Sequence, residues 1–185
     1  MNAKEITHEA ETKMKKTVEA TQREFSAIRT GRASVALVDG IRVECYGAMT
    51  PLKQLGSIAT PDARNIVITP WDKSVIADVE KAVLKSDIGI TPTNDGKSIR
   101  LTIPPLTQER KGELDKILKK IAEDGRISVR TSRHTALEHT KKAEKDKALT
   151  EDERFKTQEE VQKLTDKHIK EIDTLLAGKE KEIQG

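Results

Sequence analysis

The apolar residues of this chain change period twice, and the two changes bracket a segment that must fold by different rules from its flanks. Up to Ile28 the apolar and small residues recur every three or four positions (Ile6, Ala10, Met14, Val18, Thr21, Phe25, Ile28), which lines one face of a helix. Between Gly31 and Pro104 the runs Ile41–Tyr46, Asn65–Thr69 and Ile99–Ile103 are β-branched and alternate, as half-buried strands do. After Pro104-Pro105 the helical period returns. A chain that leaves one pattern and comes back to it carries one domain inserted in another. Residues 1–30 and 105–185 are expected to form the helical domain and 31–104 the insert. Gly31, Arg32, Pro104 and Pro105, where the chain crosses between them, are the expected hinge.

The fold class that follows is α+β: an elongated antiparallel three-helix bundle with a small β/α/β domain inserted after its first helix. Asn2 is the expected cap of the first helix and Gly31 its stop. Thr107 is expected to cap a second helix of some 40 residues, about 60 Å long, with Leu114, Ile117, Leu118, Ile121, Ser128, Ser132, Ala136 and Ala143 near one face. Gly125 inside it is a tolerable cost of about 1 kcal/mol relative to Ala. Thr150 with Glu153 opens the third helix as a capping box, and Phe155, Val161, Leu164, His168, Ile172 and Leu175 form its inner face. Within the insert, shorter strands are expected near Val35–Leu37 and Leu52–Ile58. A helix is expected over Ser74–Lys85, capped by Asp72 or Ser74.

Composition excludes several functions. Charged and hydrophobic residues each make up 35% of the chain, which suits long helices with a narrow apolar stripe rather than one thick globule. No run approaches the roughly 20 apolar residues of a membrane span, the N-terminus has no apolar export core, and one cysteine cannot form an internal disulfide. A cytoplasmic monomer is expected, with no membrane partner. Net charge is only +3, so affinity for nucleic acid depends on where the arginines sit. Four aromatics, Phe25, Tyr46, Trp71 and Phe155, are too few to stack single-stranded bases.

No catalytic constellation emerges. Asn94-Asp95-Gly96 reads as a hairpin-type turn, and its continuation Gly96-Lys97-Ser98 resembles a phosphate loop only superficially. The earlier glycine of that motif would fall at Thr91, and Ile99 opens a strand rather than a helix. His8, His134, His139, His168 and Cys45 lack metal-ligand spacing, so no metal or cofactor is expected. The chain is expected not to be an enzyme.

The one constellation that invites chemistry is basic. Arg126, Arg130 and Arg133 stand at i, i+4 and i+7, sharing one helix face turned about 120° from the stripe that passes Ser132. Most charge runs are solvated faces. This face is expected to lack acidic partners one turn away, so its like charges would repel unless an anion meets them. Arginine also suits bidentate phosphate contact better than lysine. Arg29 and Arg32 add a second basic point near the junction.

Six segments, in order along the chain, resemble the bacterial ribosome recycling factors: Ile28–Ser34 (IRTGRAS), Asp39–Ile41 with Tyr46-Gly47, Pro70–Ser74 (PWDKS), Ile99–Arg110, Val129–Arg133 and Glu160–Asp166 (EVQKLTD). The family's layout is a three-helix bundle with a small β/α/β domain after its first helix. By this resemblance the protein acts after termination, binding between the ribosomal subunits across the A and P sites. Elongation factor G, with GTP, then drives it so that the subunits part and messenger and transfer RNA are released. The factor itself hydrolyses nothing.

The resemblance also implies residue roles. Arg130 and Arg133 match family positions that contact large-subunit ribosomal RNA near the peptidyl-transferase region and the inter-subunit bridge, and Arg29 matches another contact. Arg110-Lys111 matches a basic pair in which the second member is often arginine, and His134 stands where arginine is common. Lysine cannot repeat the bidentate contact, and neutral histidine supplies no fixed charge. The expected RNA-binding set is therefore Arg29, Arg110, Lys111, Arg126, Arg130 and Arg133. The insert is expected to face the small subunit and the GTPase.

Overall fold

A computed structural model describes all residues, Met1–Gly185. It divides into two compact units, one of Met1–Thr30 with Gln108–Gly185 and the other of Gly31–Thr107. The fold is α+β.

The first unit is three helices: α1 (Ala3–Ala27), α4 (Gln108–Lys145) and α5 (Glu151–Gln184). Asn2 caps α1 in a full capping box with Glu5, and Thr150 does the same for α5 with Glu153. α4 has 38 residues and rises about 57 Å. It runs antiparallel to the other two, as the pairs Thr17 with Ser128 and Glu9 with His139 require for α1, and Arg126 with Asp173 and Arg133 with Gln162 for α5. α1 stops before the expected Gly31: Ile28 is already extended (φ −84°, ψ 124°), and its N–H donates back to the Phe25 carbonyl.

The seam of the bundle differs from the expected stripe on α4. Leu114, Leu118, Ala122, Gly125, Val129, Ala136, Thr140 and Ala143 are buried, whereas Ser128 and Ile117 are exposed. The helices come so close at Gly125 that a Cβ there would lie 2.6 Å from Thr21 Oγ1 and 3.2 Å from Ile172 Cδ1. Gly125 is thus a packing requirement rather than a tolerated cost. On α5 the buried line is Thr157, Val161, Thr165, His168 and Ile172. Phe155, expected inside, is half exposed with the Arg154 guanidinium 4.3 Å from its ring centre.

The second unit, the α/β insert, holds the hairpin β1 (Arg42–Cys45) and β2 (Ala48–Pro51), one helical turn α2 (Leu52–Leu55), and strands β3 (Gly56–Ala59) and β4 (Asn65–Pro70). Helix α3 (Ile76–Lys85) and strands β5 (Thr93–Asn94) and β6 (Ile99–Thr102) complete it. One sheet is β1-β2 and the other is β3-β4-β6-β5, all pairs antiparallel. Ile66, Ile68, Ile99 and Leu101 point from the second sheet into an aliphatic core shared with Val43, Val79 and Val83. Two expected strands fail. Val35–Leu37 is a 3-10 turn, because Ser34 Oγ accepts the Ala36 amide and starts a helical rather than extended path. Leu52–Ile58 splits into α2 and β3.

Candidate nucleic-acid interface

The arginine row sits where α4 turns its flank toward α5. Measured around the helix from the centre of the buried line, Arg133 lies about 60° away, Arg126 about 80° and Arg130 about 120°. The expected uniform 120° holds for Arg130 alone, because the seam passes Gly125 and Val129 instead of Ser128 and Ser132. Exposure follows the angle: the Arg130 side chain is 54% exposed and that of Arg126 only 21%.

The expectation that this face lacks acidic partners is overturned. Arg126 donates from Nε and Nη2 to Asp173 Oδ1 on α5 (2.8 and 2.6 Å) and from Nη1 to Glu123 Oε2 (3.0 Å). These contacts, Asp173 foremost, hold its guanidinium firmly in the charged form, and Arg126 with Arg130 in turn pull the Glu123 carboxyl below its usual range. Arg126 is a clamp between two helices. Arg130 donates once, at 3.2 Å, to the other oxygen of Glu123. Arg133 meets no acid: its Nε donates to Gln162 Oε1 on α5 at 2.7 Å. The anion that three like charges call for is thus partly supplied from within the bundle.

The other expected contacts lie elsewhere. Arg29 is exposed and follows the end of α1 instead of riding on it. Arg32 is exposed in the insert. Arg110, in the first turn of α4, pairs with Glu113 at 2.8 Å while 54% exposed, and Lys111 beside it is half-buried.

The crossing segments are tightly built on the insert's side. Ala33 N–H donates to the Ala63 carbonyl and Ile103 N–H to the neighbouring Arg64 carbonyl, both at 2.7 Å, so the outgoing and returning chain share one loop. Gly31 sits at φ +73°, and a Cβ there would lie 2.8 Å from Leu106 Cγ. Any L-residue at Gly31 meets both a left-handed backbone and a clash. Pro104 and Pro105 are exposed, and neither has an N–H to bond. Thr30, by contrast, reaches Glu182 on α5 at 3.3 Å and belongs with the bundle.

The turn at Asn94–Ser98 bonds its own amides. Asp95 Oδ1 accepts the Lys97 and Ser98 amides (2.9 and 2.7 Å) and Asn94 Oδ1 accepts that of Gly96 (2.8 Å). The donors a nucleotide would need are already bonded within the turn. His168, though buried, packs in the bundle with Nδ1 3.1 Å from Glu171.

Comparison with known proteins bears on the whole chain. A family model described as "Ribosome recycling factor" matches residues 21–183. A ribosome-recycling factor of Thermosynechococcus vestitus is 55% identical over 175 residues, 95% of this chain and 96% of the relative. One of Oleidesulfovibrio alaskensis is 54% identical, with 95% of each chain covered. A solution structure of a ribosome recycling factor aligns with a TM-score of 0.72 at 44% identity, over 100% of this chain and 98% of the other. A second structure comes from models of the T. thermophilus ribosome recycling factor and E. coli elongation factor G bound to the E. coli post-termination complex. It aligns at 0.64 and 39% identity, over 100% of both chains.

Proposed function

This chain belongs to the ribosome recycling factor family, and we propose on that footing that it splits the post-termination ribosome together with elongation factor G and GTP. Members of the family are non-catalytic translation factors, so its work is binding and mechanical. The bundle grips large-subunit ribosomal RNA, and the insert is the part that the GTPase moves, with messenger and transfer RNA released as the subunits separate. The setting is the cytoplasm. A related ribosome recycling factor has been placed with elongation factor G on a post-termination complex, which supports the choice of partners.

The observation that carries the RNA assignment is the outer half of the α4 row. Arg130 keeps most of its donors free behind a single 3.2 Å contact, and Arg133 is held by a neutral amide. Guanidinium groups with free edges on a rigid helix suit bidentate contact with phosphates, which fixes position rather than reads sequence. Arg29, Arg110 and Lys111 extend the grip, and Arg126 serves it indirectly by clamping α4 to α5.

The lever rests on a different feature. Both crossing segments are pinned to one loop inside the insert, so bending is confined to Thr30–Arg32 and Pro104–Thr107. The insert then moves as one body about Gly31-Arg32 and Pro104-Pro105.

Sedimentation tests the proposal directly: post-termination ribosomes with elongation factor G and GTP should yield free subunits only when this protein is added. Replacing Arg130 and Arg133 by alanine should weaken ribosome binding and flatten its dependence on log salt by about 0.7–0.9 for each phosphate no longer neutralised. Unchanged binding would sink the anchor. A cross-link locking the two units should spare binding and stop splitting, and full splitting by the locked protein would rule out the lever.

A further inference from the structure

Three arginines share one row on α4, but their partners grade them, and the grading singles out a residue on the facing helix. Arg126 is met by two carboxylates and Arg130 shares one of them. Arg133 alone is held without any opposing charge. Its Nε donates to Gln162 Oε1 at 2.7 Å, and Gln162 Nε2 donates to Asp166 Oδ1, one turn further along α5, at 2.9 Å. Nη1 and Nη2 of Arg133 bond nothing in the chain, although the side chain is half-buried against α5. The geometry points to Gln162, backed by Asp166, as the positioning residue that aims Arg133 at an RNA phosphate. This inference rests on the bundle's arginines being the RNA-binding face.

The physical case is a separation of two properties that a carboxylate would deliver together. Holding a long arginine in one rotamer removes entropy that binding would otherwise have to remove, and an acceptor on Nε leaves the Nη1 and Nη2 edge free for phosphate. A carboxylate at 162 would hold the side chain as well, but its charge would stand beside the incoming phosphate and cancel much of the attraction. An amide holds and does not cancel. It also passes orientation along: an amide flipped the other way would bring its NH2 against the guanidinium, and the Asp166 carboxylate prevents the flip by accepting that NH2. The negative charge is kept one residue back from the guanidinium.

The same arrangement accounts for residues the structure otherwise leaves unexplained. In the run Glu160–Asp166, Val161 and Thr165 are buried in the seam, while Gln162 and Asp166 are exposed and four residues apart, and packing needs neither. Their task lies across the groove, at Arg133.

The test uses the full-length protein, purified large ribosomal subunits, and binding measured across a salt series, with thermal melting of each variant alongside. Gln162→Leu, similar in size and without an acceptor, should weaken binding about 3- to 10-fold with little change in melting temperature. Gln162→Glu should hold Arg133 at least as firmly and leave the bundle folded, yet weaken binding and lower the slope against log salt by about 0.7–0.9, the share of one phosphate. In an Arg133→Ala background Gln162→Leu should weaken binding no further. Gln162→Glu binding like the parent, or Gln162→Leu costing as much without Arg133 as with it, would overturn the assignment. If Arg133→Ala itself binds normally, the RNA-face reading fails and the positioning role falls with it, an outcome distinct from weaker binding by Arg133→Ala with no effect at 162.

Discussion

The bundle and the insert bury their chains in opposite ways, and the difference explains where charged side chains bridge one element to another. The insert's core is fourteen aliphatic or thiol side chains drawn from both sheets and α3, and no polar residue is buried in it. The bundle, though the longer unit, buries no more apolar side chains than the insert, and four of them are alanines, Ala10, Ala122, Ala136 and Ala143. Every buried polar residue belongs to it: Thr21, Thr30, Thr140, Thr157, Thr165 and His168. Four of those threonines return their hydroxyls to the carbonyl four residues back, as Thr165 does to Val161 at 2.8 Å. A seam this thin brings helix flanks together. Side chains that would be solvated on a fatter domain then bridge helices, as Arg126 and Arg133 do.

The largest expected effect tests the insert's side of this contrast. Leu101→Ala removes a fully buried side chain from the middle of β6 and should cost about 2–5 kcal/mol. Denaturant titration should show the loss. A cost below about 1 kcal/mol would mean that the insert's core is looser than its packing implies.

The bundle answers to close approach instead. Gly125→Ala should gain about 1 kcal/mol of helix propensity and lose about 1–3 through overpacking against Thr21 and Ile172, for a net loss. Gly112→Ala, on the same helix with nothing within 4 Å of the added carbon, should be stabilising. Opposite signs for one substitution on one helix are the expected result of thermal melts. Adding Thr21→Ala, which removes the hydroxyl 2.6 Å away, should recover much of the loss at Gly125.

That pair of glycines also shows what the sequence could and could not disclose. The stripe of α1 was legible because Ile6, Met14 and Phe25 are large and regularly spaced, as were its cap Asn2 and the capping box of Thr150 with Glu153 three residues on, whereas the second half of the α1 box, Glu5, was not read. On α4 the seam is marked by Gly125, Val129 and Ala136, and one sequence offers no reason to place a glycine inside and Ser128 outside. Phe155 misleads in the other direction, since aromatics usually face inward, yet here it lies just past the first turn of α5 under Arg154. The site divides in the same manner. Glu123, three residues before Arg126, stands in plain sequence view, whereas Asp173 and Gln162 lie 47 and 29 positions from the arginines they meet. Local pairs can be read from spacing. Pairs across helices appear only once the register of α4 on α5 is fixed.

The smallest effect turns on one carboxyl of the bundle, Glu180, which is shifted in the opposite direction to those of the insert. In the insert, Asp62, Asp72 and Asp95 all have their carboxyls drawn below the usual range, chiefly by the Asn65 side chain, the Ser74 amide and the Ser98 amide respectively. Groups lowered on folding contribute stability above their ordinary value and lose it as pH falls through the folded one, so acid should loosen these turns. In the bundle, Glu180 on α5 meets Asp115 on α4. Burial, then the hydrogen bond to Asp115, raises the Glu180 carboxyl, while Lys119 holds Asp115 low. A raised group contributes fully below its ordinary value of 4.5 and loses that contribution as pH rises through the folded one, so at neutral pH this contact is a liability. Glu180→Gln keeps a hydrogen-bond donor toward Asp115 without the charge. It should stabilise the bundle at pH 7 by a few tenths of a kcal/mol after solvent screening, and the advantage should vanish near pH 4, where native Glu180 carries its own proton. Melting curves of parent and variant at the two pH values measure it. An advantage equal at both would show that the two carboxyls do not share a proton across the helices.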